Sequence, residues 1–141
     1  MTSISKTNDE HFLAVGSNNG NCYILNLEKK DKMVCLKPHY KLVRSMSFTE
    51  DSSKLLTASD DSTIKALDIA SEKVISSLEG HKEAVSCIRS HPYDSRIAYS
   101  CSFDKSVRCW DLRMKSCVGS ISTGCGLWGC DVIGKKVVCG G

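Results

Sequence analysis

The chain has 141 residues, of which 41% are hydrophobic and 25% charged, and its formal net charge is +3 at pH 7. Basic and acidic residues are interspersed along the whole sequence, which is typical of an ordinary protein surface and not of a polyanion groove. There is no run of about 18 apolar residues and no apolar segment in the first ten positions, so the sequence predicts neither a membrane span nor a signal peptide.

Like the lack of a signal peptide, the cysteine content indicates a protein that is not secreted. Nine cysteines are an odd number, no secretion signal accompanies them, and no C-x-x-C pair occurs. The spacing of Cys87 and His91 comes nearest to a zinc motif, but a core thiol beside a turn explains it better. We therefore expect reduced structural thiols, no metal and no cofactor, in a protein of the cytoplasm and nucleus.

Short runs of strand-like polarity follow one another from the N-terminus, and no stretch has helical periodicity. Residues 1–38 predict an incomplete first repeat that starts at a second strand. A hairpin turn is predicted at Asn18-Asn19-Gly20, because both Asn and Gly tolerate a positive φ. The strands predicted in this repeat are Phe12–Ser17, Asn21–Leu27 and Met33–Lys37.

The next two repeats are predicted to be complete, and a fourth is begun. Residues 39–80 have strands near Leu42–Phe48, Lys54–Ser59, Thr63–Ile69 and Lys73–Leu78. Residues 81–122 have strands near Ala84–Ser90, Arg96–Ser102, Ser106–Trp110 and Ser116–Ile121. Residues 123–141 retain only Gly126–Val132 and Lys136–Cys139.

A constant period connects these repeats. Val43, Val85 and Leu127 each open a β-patterned run and are separated by 42 residues, and residues 56–68 align with residues 99–111. Gly80-His81 and Trp110-Asp111 are the two dipeptides that characterise WD repeats, which have a period of about 40–45 residues. The sequence thus resembles the WD-repeat family.

This resemblance implies an all-β fold, a WD-repeat β-propeller with about three blades and part of a fourth. Propellers close with about four to eight blades, so we expect the chain to be a piece of a longer, seven-bladed propeller. An open arc leaves the apolar faces at its two ends without neighbours, and the piece alone should be unstable or prone to association.

The resemblance also implies a hydrogen-bonded network inside each blade, in which His bonds to Asp, Ser to His, and the Trp indole to Ser. Such a network satisfies buried polar groups. In the third repeat the matching residues are His81, Ser100, Asp104 and Trp110. The second repeat keeps His39, Thr57 and Asp61 but has Leu67 at the Trp position, and the first has Asn19 and Leu25 at the Asp and Trp positions.

Two enzymatic interpretations are weaker. Ser100, His81 and Asp104 are the residue types of a hydrolase triad, but Ser100 lies in a predicted strand without a G-x-S-x-G elbow. Residues 124–129 spell G-x-G-x-x-G and residues 129–135 spell G-x-x-x-x-G-K, yet a strand follows where a nucleotide site needs a helix. We expect no catalytic residue.

Partner binding is expected on the narrow face where the loops before the inner strands meet the turns between second and third strands. The family resemblance implies contacts one, three and five residues after the blade His and just before the network Asp. Phe103 and Trp128 are hot-spot residue types, although both could instead pack against neighbouring loops. The residues concerned are Tyr40, Leu42, Arg44, Asp60, Lys82, Ala84, Ser86, Phe103 and Trp128.

Within the family, several segments resemble the WD-repeat subunits shared by the superkiller RNA-decay complex and the polymerase-associated factor elongation complex. That resemblance implies a non-catalytic scaffold. Its partners would be a tetratricopeptide-repeat protein and a helicase, together with elongation-complex subunits in the nucleus. The matching segments are Arg44-Ser45-Met46-Ser47-Phe48, residues 56–61 with Ile64-Lys65, residues 104–108 with Trp110-Asp111, and Trp128-Gly129.

An alternative rests on Trp110-Asp111-Leu112-Arg113. Trp-Asp-x-Arg is similar to the motif with which some WD-repeat substrate receptors bind the adaptor of a cullin-RING ubiquitin ligase, and Arg113 would make that contact. We expect no direct nucleic-acid binding, because the basic loop at Lys29, Lys30 and Lys32 has no interleaved aromatic residues.

Overall fold

A computed structural model describes residues 2–29 and 32–141, so Lys30 of the basic loop lies outside the described residues. All regular structure in those two ranges is β-strand, and the strands form four antiparallel sheets that follow one another along the chain. Within these ranges no helix has the length and hydropathy of a membrane span. The prediction of an all-β partial propeller is confirmed.

Each sheet is a simple meander in which neighbouring strands are consecutive in the chain. Sheet 1 contains β1 (Ser3–Lys6), β2 (Phe12–Gly16), β3 (Cys22–Asn26) and β4 (Met33–Leu36). Sheet 2 contains β5 (Val43–Phe48), β6 (Lys54–Ser59), β7 (Ile64–Asp68) and β8 (Lys73–Leu78). Sheet 3 contains β9 (Val85–His91), β10 (Asp94–Ser102), β11 (Ser106–Asp111) and β12 (Ser116–Ser122), and sheet 4 contains β13 (Gly129–Ile133) and β14 (Lys136–Gly140).

Strand β1 is the main difference from the sequence pattern, which predicts that the first repeat starts at its second strand. Ile4 is the only apolar residue in β1, and it is 58% exposed. The strand therefore has no buried apolar face from which it could be predicted. The strand forms through its pairing with β2, and the Thr2 hydroxyl donates to the Val43 carbonyl at 2.6 Å. Sheet 1 therefore has four strands.

The inner strand of sheet 4 also starts later than predicted. Residues 126–128 belong to a loop, in which the Leu127 N–H donates to the Ser102 carbonyl at 3.2 Å and the Trp128 N–H to the Gly140 carbonyl at 2.8 Å. The Gly-rich segment is thus a loop followed by a β-hairpin, and the structure contains no helix at residues 130–141 that could hold a phosphate.

The sheets stack through apolar layers, and sheet 2 is buried on both faces. Leu55 and Leu67 pack against sheet 1, whereas Leu56 and Ala66 pack against sheet 3. Five consecutive residues of β6 are buried, a pattern typical of a strand covered on both sides. The layer between sheets 3 and 4 contains Cys87, Cys101, Leu127 and Cys130.

Hydroxyl groups link the inner strands of neighbouring sheets. The Ser90 N–H donates to Ser47 Oγ at 3.0 Å, and the Ile88 N–H donates to Ser45 Oγ at 3.3 Å. Since β5 and β9 belong to different sheets, their facing backbone groups do not form a regular ladder and need such partners. Serines in the inner strands therefore hold the arc together near its axis.

Truncation of Leu56 to Ala in the full-length protein should lower the free energy of unfolding by about 2–5 kcal/mol, because Leu56 is fully buried between sheets 2 and 3. Urea unfolding measures the effect. The matched control is Leu27→Ala, whose side chain is 42% exposed and whose loss should cost little. Equal losses for the two variants would contradict the buried sheet interface.

Candidate functional site

The upper edge of the arc is formed by the loops at residues 37–42, 79–84 and 123–128 and by the turns at residues 17–21, 60–63 and 103–105. The turns of sheets 2 and 3 share the pattern Ser-x-Asp-x-Ser/Thr. In sheet 3, Ser102 Oγ accepts the Asp104 N–H at 3.1 Å, and Asp104 Oδ1 accepts the Ser106 N–H at 3.0 Å and its hydroxyl at 2.6 Å. Lys105 takes the left-handed conformation that closes the turn, with φ of 66°.

The same turn occurs in sheet 2, with Ser59, Asp61 and Thr63 in place of Ser102, Asp104 and Ser106. The corresponding distances are 3.1, 3.0 and 2.7 Å. In both turns the Asp side chain points inward, while the residue before it, Asp60 or Phe103, is left on the outer side and only partly buried. Ser106 and Thr63 were not predicted as site residues, although their position two residues after the network Asp is a recognisable signal.

In sheet 3 the structure brings His81, Asp104, Ser100 and Trp110 together. His81 Nδ1 lies 2.8 Å from Asp104 Oδ2, and His81 Nε2 lies 2.7 Å from Ser100 Oγ. The Trp110 indole N–H donates to the same Ser100 oxygen at 2.8 Å. The loop before β9, the turn after β10, and strand β11 are therefore joined by one chain of hydrogen bonds.

In sheet 2 the network is shorter. His39 Nδ1 lies 2.9 Å from Asp61 Oδ2, and His39 Nε2 lies 2.8 Å from Thr57 Oγ1. Leu67 is fully buried at the Trp position and adds no donor. In sheet 1, Asn19 Oδ1 only closes its own turn by accepting the Asn21 N–H at 3.3 Å, and Leu25 lies in β3.

The protons of the sheet 3 network can be assigned from its partners. Ser100 Oγ accepts from the indole, so its own hydroxyl donates to His81 Nε2, and His81 Nδ1–H donates to the Asp104 carboxylate. Burial lowers the pKa of the His81 imidazole despite the nearby carboxylate. Burial alone would raise the pKa of Asp104, but hydrogen bonds from the Ser106 hydroxyl, the Lys82 N–H and His81 outweigh it and hold the pKa at about 2. A neutral imidazole and a carboxylate are therefore the stable pair near pH 7.

This arrangement has the order of a hydrolase triad but not its access. Ser100 is fully buried, and both of its hydrogen-bonding directions are used inside the blade. A nucleophile must instead reach a bound carbonyl group next to oxyanion donors. The network can fix the loop and the turn in place, and a substrate cannot approach its hydroxyl.

On the outside of the same edge, four residues from three sheets form a continuous row, which we call the aromatic ladder: Asp60, Arg44, Phe103 and Trp128. The Arg44 guanidinium binds Asp60 through two nitrogens, with Nη2 to Oδ2 at 3.1 Å. The Arg44 guanidinium carbon lies 5.2 Å from the centre of the Phe103 ring. The Phe103 and Trp128 rings meet edge to face, with centroids 4.9 Å apart.

Within the aromatic ladder, Phe103 is packed between its neighbours, whereas Trp128 at the end is largely exposed. Phe103 is half-buried between Arg44 and Trp128, and its backbone faces Gly126, where an added Cβ would meet the Phe103 carbonyl at 3.5 Å. Trp128 is 70% exposed. Phe103 thus packs against a neighbouring loop and is also partly exposed on the outer face, and its role in partner binding stays a prediction.

The other residues expected on this face lie at different depths. Tyr40 is 72% exposed and Lys82 is exposed, while Leu42 and Ala84 are half-buried and accept the N–H groups of Asp60 and Phe103. Ser86 does not reach the face: it is buried, and its hydroxyl donates to the Cys101 carbonyl at 3.1 Å. Ser86 occupies the same position in its repeat as Arg44 and Trp128, but its side chain is too short to extend outward.

Arg113 lies on the opposite edge, in the turn between β11 and β12. Its side chain is 62% exposed and is oriented by Asp111, which accepts from Arg113 Nη2 at 3.1 Å and from the Arg113 N–H at 2.8 Å. The expected partner face and the expected ligase-adaptor contact are therefore on different edges of the arc.

Comparisons with known proteins identify the repeats. The family described as "WD domain, G-beta repeat" matches residues 30–68 and 72–111. The nuclear distribution protein PAC1 of Candida tropicalis is 39% identical over 111 residues, which cover 74% of this chain and 22% of the relative. The Set1 complex component swd2 of Schizosaccharomyces pombe is 35% identical over 77 residues, 53% of this chain and 21% of the relative.

Solved structures share the fold at low sequence identity. The structure of U3-55K superimposes with a TM-score of 0.90 at 20% identity, over 98% of this chain and 44% of that chain. The RRP9 WD40 repeats give a TM-score of 0.90 at 19% identity, with the same coverage. The chain spans about a fifth of the length of the curated relatives named above, at 22% and 21%.

Replacement of Asp104 by Ala should destabilise the full-length protein by about 1–3 kcal/mol, because His81, Ser106 and the Lys82 N–H lose a buried acceptor. Chemical denaturation measures the loss. Asp131→Ala is the matched control, since the Asp131 side chain is 73% exposed. An Asp104→Ala variant that melts like wild type but has lost an activity would contradict the structural role.

Acidification should weaken the fold through His39 and His81. Burial lowers the pKa of both imidazoles below the ordinary histidine value of about 6.5, so the unfolded chain binds more protons than the folded chain. The stability they provide is complete above that value and is lost as the pH falls from it through the folded pKa. Denaturation at pH values from 7 to 5 should show a falling midpoint, and His81→Gln should make the dependence shallower. A midpoint that rises over this range would contradict the neutral network.

Proposed function

Because this chain belongs to the WD-repeat family, we propose that it acts as a non-catalytic protein-interaction scaffold whose upper edge binds partner proteins. The observation that carries the proposal is the aromatic ladder, which three sheets build together and which ends in the exposed Trp128. Trp, Tyr and Arg are the residue types that dominate binding energy at protein interfaces.

The residues of the ladder contact one another without a partner. Asp60 fixes Arg44, Arg44 lies over one face of Phe103, and Trp128 contacts the Phe103 ring. A partner that binds Trp128 therefore meets a ring that already contacts Phe103, which reduces the entropic cost of fixing it. The turn at residues 103–105, which holds Phe103 on its outer side, is therefore well suited to partner binding.

The non-catalytic part of the proposal is supported by the burial of Ser100. The Ser100, His81 and Asp104 arrangement, which resembles a catalytic triad, lies inside a blade, and its hydroxyl makes two internal hydrogen bonds. Hydrolysis assays with the full-length protein test this part directly, and turnover that is lost in Ser100→Ala without loss of stability would refute it.

At finer detail, we propose that the scaffold is a subunit of the superkiller RNA-decay and polymerase-associated factor complexes, in the cytoplasm and nucleus. Its support is the resemblance of residues 44–48, 56–61 and 104–108 to the subunit shared by those complexes. The expected partners are a tetratricopeptide-repeat protein, a helicase and elongation-complex subunits. Affinity purification of the full-length protein with mass spectrometry tests this, and the absence of all of them would refute it.

A second candidate function is that of a substrate receptor for a cullin-RING ubiquitin ligase. The specific observation is that Asp111 orients Arg113 while leaving its side chain 62% exposed, so that a planar guanidinium faces outward at the edge opposite the ladder. In the same purification, recovery of the ligase adaptor by wild type and its loss in Arg113→Ala would favour this candidate. Recovery that does not depend on Arg113 would exclude the proposed contact.

Truncation of Trp128 to Ala should weaken binding of the partners that are recovered by about 2 kcal/mol or more, and leave the melting temperature nearly unchanged, because the ring is 70% exposed. Phe103→Ala should weaken binding similarly, with some loss of stability because Phe103 is half-buried. Calorimetric titration and thermal melting measure the two effects.

Tyr93→Ala is the matched control for these truncations. Tyr93 is 79% exposed in the turn between β9 and β10, on the edge opposite the ladder. Its removal should change neither binding nor stability. Intact binding by Trp128→Ala, or an equal loss of binding by Tyr93→Ala, would refute the upper edge as the docking surface.

A further inference from the structure

The charges around the aromatic ladder are arranged unevenly between the inside and the outside of the upper edge. The carboxylates of Asp61 and Asp104 point inward to the histidines, with side chains only 1% and 6% exposed, and Asp60 is bound to Arg44. Lys41, Lys82 and Lys105 are exposed and form no ion pair within the described part of the chain. The three aspartates are thus occupied by internal contacts, whereas Lys82 and Lys105 form no ion pair in the described residues and the Lys41 ammonium lies 5.8 Å from the Tyr40 ring centre.

Backbone contacts place these lysines beside the ladder. The Lys82 N–H donates to Asp104, next to Phe103 in the turn, at 3.0 Å. The Lys105 carbonyl accepts the N–H and the hydroxyl of Thr123, in the loop that carries Trp128, at 2.9 and 3.0 Å. Lys41 follows Tyr40 and precedes Leu42, whose carbonyl accepts the Asp60 N–H.

Glu83 and Glu79 are the exposed acids of the edge. Glu79 accepts the hydroxyl of Ser77 at 3.0 Å, on the outermost strand of sheet 2, and lines a pocket with Tyr40 and Asp61. The three exposed lysines thus outnumber the two exposed acids, Glu79 and Glu83, which leaves an excess of positive charge at the edge that carries the aromatic ladder. Complementarity of charge then favours an anionic partner that also offers an apolar group.

We propose that the aromatic ladder binds an acidic segment of a partner protein, with one apolar side chain of that segment packed on Trp128 and Phe103 and its carboxylates paired with Lys82 and Lys105. This inference rests on the proposed function and specifies the chemistry of the partner. The lysines steer the segment and fix its register, while the apolar contact with Trp128 provides most of the affinity.

The test uses the full-length protein and four fluorescent probes. Three are short synthetic peptides: one rich in Asp and Glu with a central Leu, the same peptide with Gly in place of Leu, and a peptide in which Lys replaces every acidic residue. The fourth is a single-stranded RNA of similar length. Fluorescence anisotropy at several salt concentrations gives each affinity and its salt dependence.

The acidic peptide with Leu should bind most tightly, and the Gly and Lys versions should bind weakly. Trp128→Ala should reduce its affinity about thirtyfold. Lys82→Ala/Lys105→Ala should reduce it about fivefold at low salt and flatten the salt dependence. The matched control, Lys73→Ala/Lys136→Ala, removes two exposed lysines at the opposite edge and should leave the affinity unchanged.

Several outcomes would overturn the proposal: tighter binding of the basic peptide, an equal loss in the Lys73/Lys136 control, or RNA binding that needs the lysines but not Trp128. Purified native partners separate this failure from failure of the proposed function. If Trp128→Ala loses those partners while the acidic peptide does not bind, the upper edge still docks proteins and only the acidic chemistry is wrong. If neither the partners nor the peptide depend on Trp128, both proposals fail.

Discussion

The upper edge depends on the hydrogen bond between the blade histidine and the turn aspartate, 2.8 Å long in sheet 3 and 2.9 Å long in sheet 2. This bond joins the loop before a sheet to the turn between its second and third strands, which are about twenty residues apart in the chain. Because the Asp side chain must point inward to reach the ring, the preceding residue is left on the outer side. Asp60 and Phe103 occupy that outward position, so the internal network determines where the binding residues lie.

The repeats share one backbone structure, but the side chains at equivalent positions differ. Arg44, Ser86 and Trp128 are spaced by 42 residues and occupy equivalent places, but only the two long side chains reach the upper edge, while Ser86 bonds inward to the Cys101 carbonyl. The same holds for the network, where Trp110 adds a donor that Leu67 cannot provide. Strand register therefore fixes the position of each residue, and side-chain length and chemistry decide whether it stabilises a blade or is available to a partner.

Sheets 2 and 3 could be predicted nearly in full, because their strands alternate with turns rich in Asp and Ser and bury apolar residues on both faces. Lys54–Ser59 and Lys73–Leu78 were predicted with the bounds that β6 and β8 have. Strand β1 could not be predicted, since Ser3–Lys6 contains only one apolar residue. The strand forms through its contacts with β2 and Val43. The contacts of Arg44 with Phe103 and of Phe103 with Trp128 were also beyond prediction, because they join three sheets and depend on how the blades are placed side by side.

The network in sheet 3 also shows why residue types alone do not define an active site. Ser100, His81 and Asp104 have the hydrogen-bond order of a triad, and the Ser100 hydroxyl even donates a hydrogen bond to the histidine. A catalytic serine, however, must exchange that bond for one to a substrate, whereas Trp110 holds Ser100 from the other side in a place without solvent access. The hydrogen bonds that would activate a nucleophile at a surface instead serve here, inside a blade, to remove the cost of unsatisfied polar groups and to keep the upper edge rigid.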